Sequence, residues 1–224
     1  LRQNGRVLAV ETDKALAAIN PAADWAIYIQ GDEVMHEADH PNIFNAMTQY
    51  QHDNEVDGLL FDYLHFYGSY DYIGVSNNWY KKEIRIIKPG RGIFSFRDAQ
   101  GFRKAPDQKL KVALANAKVY HYGWVKDPTA MQRKQESFHK LWHDDAWLEK
   151  NVKVATAFDY EDHIHELARF EGKHPIWISD RIAARNWTFR MDITKRNRTL
   201  KNRVKNWLKL IGIDTNYANY RLIR

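Results

Sequence analysis

Trp25-Ala26-Ile27-Tyr28-Ile29-Gln30-Gly31-Asp32-Glu33 is the stretch that decides how this chain is read. A short apolar run of strand type passes directly into a polar, acidic turn. Such a run suits a buried strand of a mostly parallel sheet. In open α/β sheets, ligands gather beyond the carboxyl ends of the strands, and Asp32 and Glu33 stand at such an end. A nucleotide diphosphate bound there needs a divalent cation, and hard cations prefer carboxylate oxygen. Acids also follow strands for blander reasons, since loops are polar and the first turn of a helix favours negative charge. The tetrapeptide alone leaves both readings open.

Outward from this stretch, helices and strands alternate. Residues 11–19 have helix-forming composition with acids in the first turn, and Asn20-Pro21 stops them. Pro41 opens a helix to about Asn54, with Ile43, Met47 and Tyr50 on one face. Val56 to Tyr67 reads as a strand and 68–78 as a loop. Glu83 to Ile87 alternates, Pro89-Gly90 turns the chain into Ile93–Phe96, and Lys118–Tyr122 is a further short strand. Asp127-Pro128 starts a helix with a capping carboxylate and Pro at the first helical position, carrying Met131, Phe138, Leu141 and Trp142 on its apolar side. Beyond about 150 the pattern weakens until 198–211. There Leu200, Val204, Trp207, Leu208 and Ile211 make one stripe and Lys201, Lys205 and Lys209 another. The expected organisation is a mixed-sheet α/β portion over 1–150 and a C-terminal helical extension over 151–224.

The chain has 224 residues, 44% of them hydrophobic, which is enough for a real core. Without cysteine, disulfides, thiolate-held zinc and cysteine nucleophiles are excluded together, a composition compatible with a reducing cytoplasm. No run of 18 apolar residues is present, so no span is expected. Leu1-Arg2-Gln3-Asn4-Gly5 is neither a signal peptide nor a Met start, and the chain is expected to begin partway through a longer protein. Charge is uneven. Residues 181–224 hold 12 Lys/Arg against Asp192 and Asp214, a net of +10, so a total of +6 leaves −4 for the rest. A slightly acidic body with a basic tail argues against a nucleic-acid binder.

The order of these motifs resembles the family 2 glycosyltransferases of GT-A type, in particular bacterial members that modify lipopolysaccharide cores or other envelope glycans. In that family a helix precedes a strand ending in Asp-x-Asp. Here Gln30-Gly31-Asp32 occupies that place, with Gln30 replacing the first Asp. The segment Ile84 to Asp98 looks like the one following the family's acceptor loop, with Arg97-Asp98 where many members carry a His-Glu or Glu-Asp pair. Tyr120-His121-Tyr122-Gly123-Trp124, followed by a Lys/Arg/His-rich helix, resembles the later His-Tyr segment. The likeness spans about 7–147. It implies a partial, Rossmann-like GT-A core whose base-binding β-α units would precede Leu1.

The resemblance carries expectations. The chain would be a hexosyltransferase-type enzyme moving a sugar from a nucleotide-sugar donor to a glycan or lipid-linked acceptor, with a divalent cation (Mn or Mg) and inversion. Asp32 would bind the metal, Gln30 would contact the donor, and His121 would complete the metal shell or touch the diphosphate. Asp98 is the candidate base; the alternative is a surface Asp paired with Arg97 or Arg103. His65 and Tyr67, on one face of a strand by period-2 alternation, would line the acceptor pocket, with Asp62 opposite. His139 and His143, at i, i+4, lack the Glu of a zincin motif and read as a solvated helix end. The 198–211 helix either rests on an anionic membrane surface or packs on the body, giving a cytoplasmic protein, peripheral on the inner face of the membrane in the first case. A non-catalytic carbohydrate-binding or assembly subunit that keeps only the acceptor half is the rival reading.

Overall fold

The computed structural model describes residues 5–151, 155–161, 166–193 and 218–224. The basic stretch 198–211 lies outside them. In chain order the elements are α1 (Arg6–Ala17), β1 (Ala26–Ile27), β2 (Glu33–Met35), α2 (His40–Tyr50), β3 (Gly58–Tyr67), β4 (Tyr72–Gly74), β5 (Lys82–Ile87), β6 (Ile93–Phe96), β7 (Gly101–Lys104), β8 (Gln108–Trp124), α3 (Pro128–Trp142), α4 (Asp145–Asn151), β9 (Leu167–Arg169), α5 (Ser179–Ala183) and β10 (Tyr220–Leu222). Among the described residues, no helix is long and apolar enough to cross a membrane.

The protein is mixed α/β, built on a sheet of order β1-β5-β3-β8-β7-β6, with β2 and β10 also paired to β8. Its centre is the parallel pair β3–β8, where Leu59 lies opposite Ala113 and His65 opposite His121. Alternation along β3 sends Leu59, Phe61 and Tyr63 to one face, against Ile43 and Ala46 of α2 and Ala113, Ala115 and Val119 of β8. Leu60 turns the other way, onto Ile84, Phe102, Leu110 and Val112. With both faces covered, β3 reads as a nearly continuous apolar run.

Several expectations change here. The Trp25–Ile29 run shortens to β1, which pairs antiparallel with β5 at the sheet edge and leaves Ile27 and Ile29 about half exposed. It is not a buried strand of a parallel sheet, because parallel pairing among the described strands is confined to β3–β8 and β10–β8. An apolar pentapeptide carries no information about the direction of its neighbour. Helix α1 begins at Arg6, ahead of the expected start, and has no acid in its first turn. Asp13 serves instead as acceptor for the Ser95 backbone N–H, at 2.6 Å. The 118–122 strand is one end of the 17-residue β8. The loop at 68–78 contains β4, which pairs with β3 and β9.

One buried charge on β5 has a measurable consequence. Glu83 is buried, Gln100 donates to one of its oxygens at 3.0 Å, and the other has no hydrogen-bond partner. Burial raises its carboxyl from 4.5 to about 7, against the pull of Arg85 and Gln100. Between those two pH values the folded state holds a proton that the unfolded chain has released. Stability therefore falls as pH rises through this window, by up to about 3 kcal/mol. Glu83→Gln should flatten that slope and stabilise the protein at pH 8 relative to pH 5. Thermal melts of both proteins at the two pH values test this; an equal difference at both would count against it.

Candidate functional site around Asp32 and His121

The turn that carries Asp32 is held by its neighbour. Glu33 N–H closes the turn onto the Gln30 carbonyl at 3.0 Å, and the Glu33 carboxylate accepts the Gln30 N–H at 3.2 Å. That carboxylate is fully buried against the Arg85 guanidinium, which donates twice to it, from Nε at 2.8 Å and from Nη2 at 2.7 Å. Tyr63 OH donates to it as well. The guanidinium lies between the rings of Tyr28 and Tyr63 and gives Nη1 to the Ile84 carbonyl. Of the two acids in the turn, Glu33 is thus spent on the interior and Asp32 is left for the surface.

Asp32 abuts β8. Its carbonyl accepts the Tyr122 N–H at 2.8 Å, and β2 pairs antiparallel with β8 so that Glu33 faces His121. The Asp32 carboxylate, about one-third exposed, lies 3.1 Å from Lys134 Nζ of α3 and 3.7 Å from His121 Nε2. Lys134 also donates to the Gly123 carbonyl at 2.8 Å. Burial pushes the Asp32 carboxyl up, but the hydrogen bond and charge of His121 and the Lys134 ammonium outweigh it and hold the group well below the usual carboxylate range. It is an anion at any working pH.

The hydrogen atoms of the paired histidines follow from their partners. His65 Nε2 lies 3.1 Å from the Tyr80 carbonyl, which only accepts, so Nε2 carries the proton. Burial and the neighbouring His121 keep the His65 ring well below its ordinary pKa, hence neutral, and its Nδ1 is an acceptor. His121 Nδ1, 3.2 Å away, must then donate to it. In a neutral His121 this turns the Nε2 lone pair toward the Asp32 carboxylate. Two acceptors facing each other at 3.7 Å call for positive charge between them, as a proton on Nε2 or as a cation.

A cation sets geometric demands that these donors can meet. A hard divalent ion bound at about 2.1 Å to each atom would hold them roughly 3–4 Å apart. Gly123 keeps the space open: a Cβ there would lie 2.7 Å from Asp32 Oδ2 and closer still to His121 Nε2. Among the described residues, no group of three or more His, Cys, Asp or Glu could hold a metal. One carboxylate suits a magnesium- or manganese-like ion that draws the rest of its shell from water and phosphate, and an imidazole beside it favours the softer of the two. With two donors, Asp32 and His121 do not form a closed protein cage.

The other expected residues fall in three places. Gln30 donates its side-chain amide to Tyr28 OH, which donates in turn to the Ala99 carbonyl, so its amide turns toward the β6–β7 turn that carries Asp98. Asp98 sits between Arg97 and Ala99, both in the left-handed region at φ 58° and 63°. It is half-buried, and burial raises its carboxyl above the ordinary value. Asp98 Cβ and the Trp142 ring both border Gly5. Since Lys134 and Trp142 are eight residues apart on α3, about 12 Å along its axis, the helix runs from the Asp32 end of the site toward Asp98. His65 and Tyr67 do share a face, both against Trp79, but both are buried. The Tyr67 hydroxyl donates to the Tyr160 carbonyl at 3.0 Å. Asp62 pairs with Lys82. His143 stacks on Trp147, with ring centroids 3.5 Å apart.

Lys134, Gly123 and the Glu33–Arg85 pair carry no sequence expectation. A charged Arg85 among isoleucines on β5 was a usable signal for a buried partner, because an arginine in such a run must be paired. Lys134 had none, being one cation among several on its helix. Compared with protein-family models, with curated proteins and with solved structures, the chain matches none.

Proposed function

We propose that this chain is the metal- and acceptor-binding half of a nucleotide-sugar-dependent glycosyltransferase. The observation that carries the reading is His121 Nε2 and the Asp32 carboxylate converging to 3.7 Å beside a glycine where a Cβ would crowd both. Asp32 and His121 would hold a divalent cation, Mn or Mg, which when bound neutralises charge on the departing diphosphate. Lys134 adds an ammonium at the same place. Asp98, with its raised carboxyl, takes the acceptor hydroxyl proton as that oxygen bonds to the anomeric carbon. The bond from that carbon to the diphosphate breaks, and the anomeric centre is inverted. His65 contributes by fixing the tautomer of His121. The acceptor is a glycan or a lipid-linked glycan and the enzyme works in the cytoplasm, with the basic C-terminal extension either packed on the body or resting on the inner face of the membrane.

Titrating UDP with and without manganese tests this. UDP should bind the wild type only with the metal, and Asp32→Ala should weaken that binding at least tenfold. Metal-independent binding that ignores Asp32 would remove the support. A second reading is favoured by the Lys134 contact, which already supplies Asp32 with a cation. On that reading the chain is a non-catalytic carbohydrate-binding or assembly subunit, and manganese would bind neither the wild type nor the variant.

A further inference from the structure

An open cleft of about 790 Å³ lies at the end of the sheet away from Asp32, with Asp57, Lys104, Lys109, Lys111, Tyr220 and Arg221 in its lining. Asp57 directly precedes β3. Gly58 and His65 are seven residues apart on that strand, which sets the cleft about 20 Å from the Asp32–His121 pair. Three strands bring its cations together. Lys109 and Lys111 flank the buried Leu110 and therefore share one face of β8. Arg221 of β10 stands opposite Lys111 in parallel register. Lys104 ends β7, across the hairpin from Gln108. Like charges set side by side on neighbouring strands repel one another.

The acids of the cleft leave most of that charge unanswered. Asp57 is its floor, 4% exposed; it accepts from Lys104 Nζ and lies 3.6 Å from Arg91 Nη1. Glu55 on the rim is shared by Lys111 at 3.5 Å and Arg224 at 3.7 Å. With Arg91 and Arg224 added to the four lining cations, six positive charges meet two carboxylates, a surplus of four. Just outside, Arg103 and Asp107 lie 3.3 Å apart and cancel. All of these groups lie among the described residues.

Such a surplus selects an anion, and its arrangement selects phosphate. A phosphate dianion offers three oxygens and can take donors from Lys109, Lys111 and Arg221 at once. A carboxylate offers two oxygens and one charge. The cleft falls within the roughly 300–1,000 Å³ of small-molecule sites and leaves room beyond one phosphate. That room is lined by the Tyr220 ring and by the amides of Asn54 and Gln108, which suit a body with hydroxyl groups. We propose that this cleft binds the phosphate group of a small phosphorylated molecule, at a site separate from Asp32 and His121. This holds whether or not the chain transfers sugar.

Calorimetry with glucose 1-phosphate and with inorganic phosphate, in EDTA and at low ionic strength, tests the proposal. EDTA silences any metal-dependent anion binding at Asp32. The wild type should bind glucose 1-phosphate, and more tightly than inorganic phosphate because the cleft is larger than the ion. Lys111→Ala with Arg221→Ala should weaken binding at least tenfold. The melting temperature should hold, since the exposed Lys111–Glu55 pair contributes little to stability. Glu55→Gln should tighten binding about threefold, because it removes a carboxylate that competes for the same cations, and a gain cannot come from misfolding. Asp32→Ala should change nothing. Absence of binding, equal affinity in the double variant, weaker binding by Glu55→Gln or loss of binding in Asp32→Ala would each overturn the proposal. So would equal affinity for inorganic phosphate, which assigns the cleft to the free ion, or an affinity for heparin that grows with its length, which makes this face a polyanion track. Manganese-dependent UDP binding is independent of all of these outcomes.

Discussion

Arg85→Ala should cost the protein about 3–5 kcal/mol, the usual consequence of removing one partner of a fully buried ion pair. Both side chains have zero exposure, and the two guanidinium hydrogen bonds leave Glu33 no solvent to fall back on. At roughly 2–4 °C per kcal/mol for a chain of this size, the melting temperature should drop by about 10 °C. A carboxylate stranded without a counter-charge accounts for more of this cost than the missing hydrogen bonds do. Replacing both partners together, Glu33→Leu with Arg85→Met, should therefore recover most of the loss. Thermal melts of Glu33→Leu, Arg85→Met and the pair make the cycle, with Arg85→Ala measured beside them. A drop of less than about 3 °C for Arg85→Ala would mean that water reaches Glu33 and the pair is not sealed. The same variant should also weaken any manganese site, because the Glu33 carboxylate holds the Gln30 N–H and so fixes the turn that aims Asp32.

The second large effect is expected at Gly123, and it separates site from scaffold. Its backbone φ is not in the left-handed region, so alanine is tolerated by the main chain. The added methyl would lie 2.7 Å from Asp32 Oδ2 and crowd His121 Nε2. His121 cannot yield freely, since its other nitrogen is tied to His65, which is fixed in turn by the Tyr80 carbonyl. Gly123→Ala should reduce manganese binding tenfold or more, read by calorimetry. Its stability should fall by only about 1–3 kcal/mol, the scale of modest overpacking. A folded Gly123→Ala that binds manganese as the wild type does would show that the space between Asp32 and His121 is not where the ion sits.

Local chemistry made much of this molecule legible in its sequence. The apolar run at 56–67 became β3, Pro41 stands near the start of α2, and Asp127 caps α3 by accepting the Ala130 N–H at 3.0 Å, as an Asp-Pro start implies. Asp32 and His121, singled out separately along the chain, lie 3.7 Å apart in the fold. What sequence left undecided is the partner of each group. Asp32 and Lys134 are 102 residues apart, Glu33 and Arg85 are 52, and His65 and His121 are 56. The last two depend on strand direction and register, and the first on where α3 packs against the sheet. Register is set by the burial of whole faces and carries no mark in the few residues it brings together. The acidic turn therefore stood out by its own composition. Only the packed sheet decided that Glu33 would be sealed inside and Asp32 left facing a histidine.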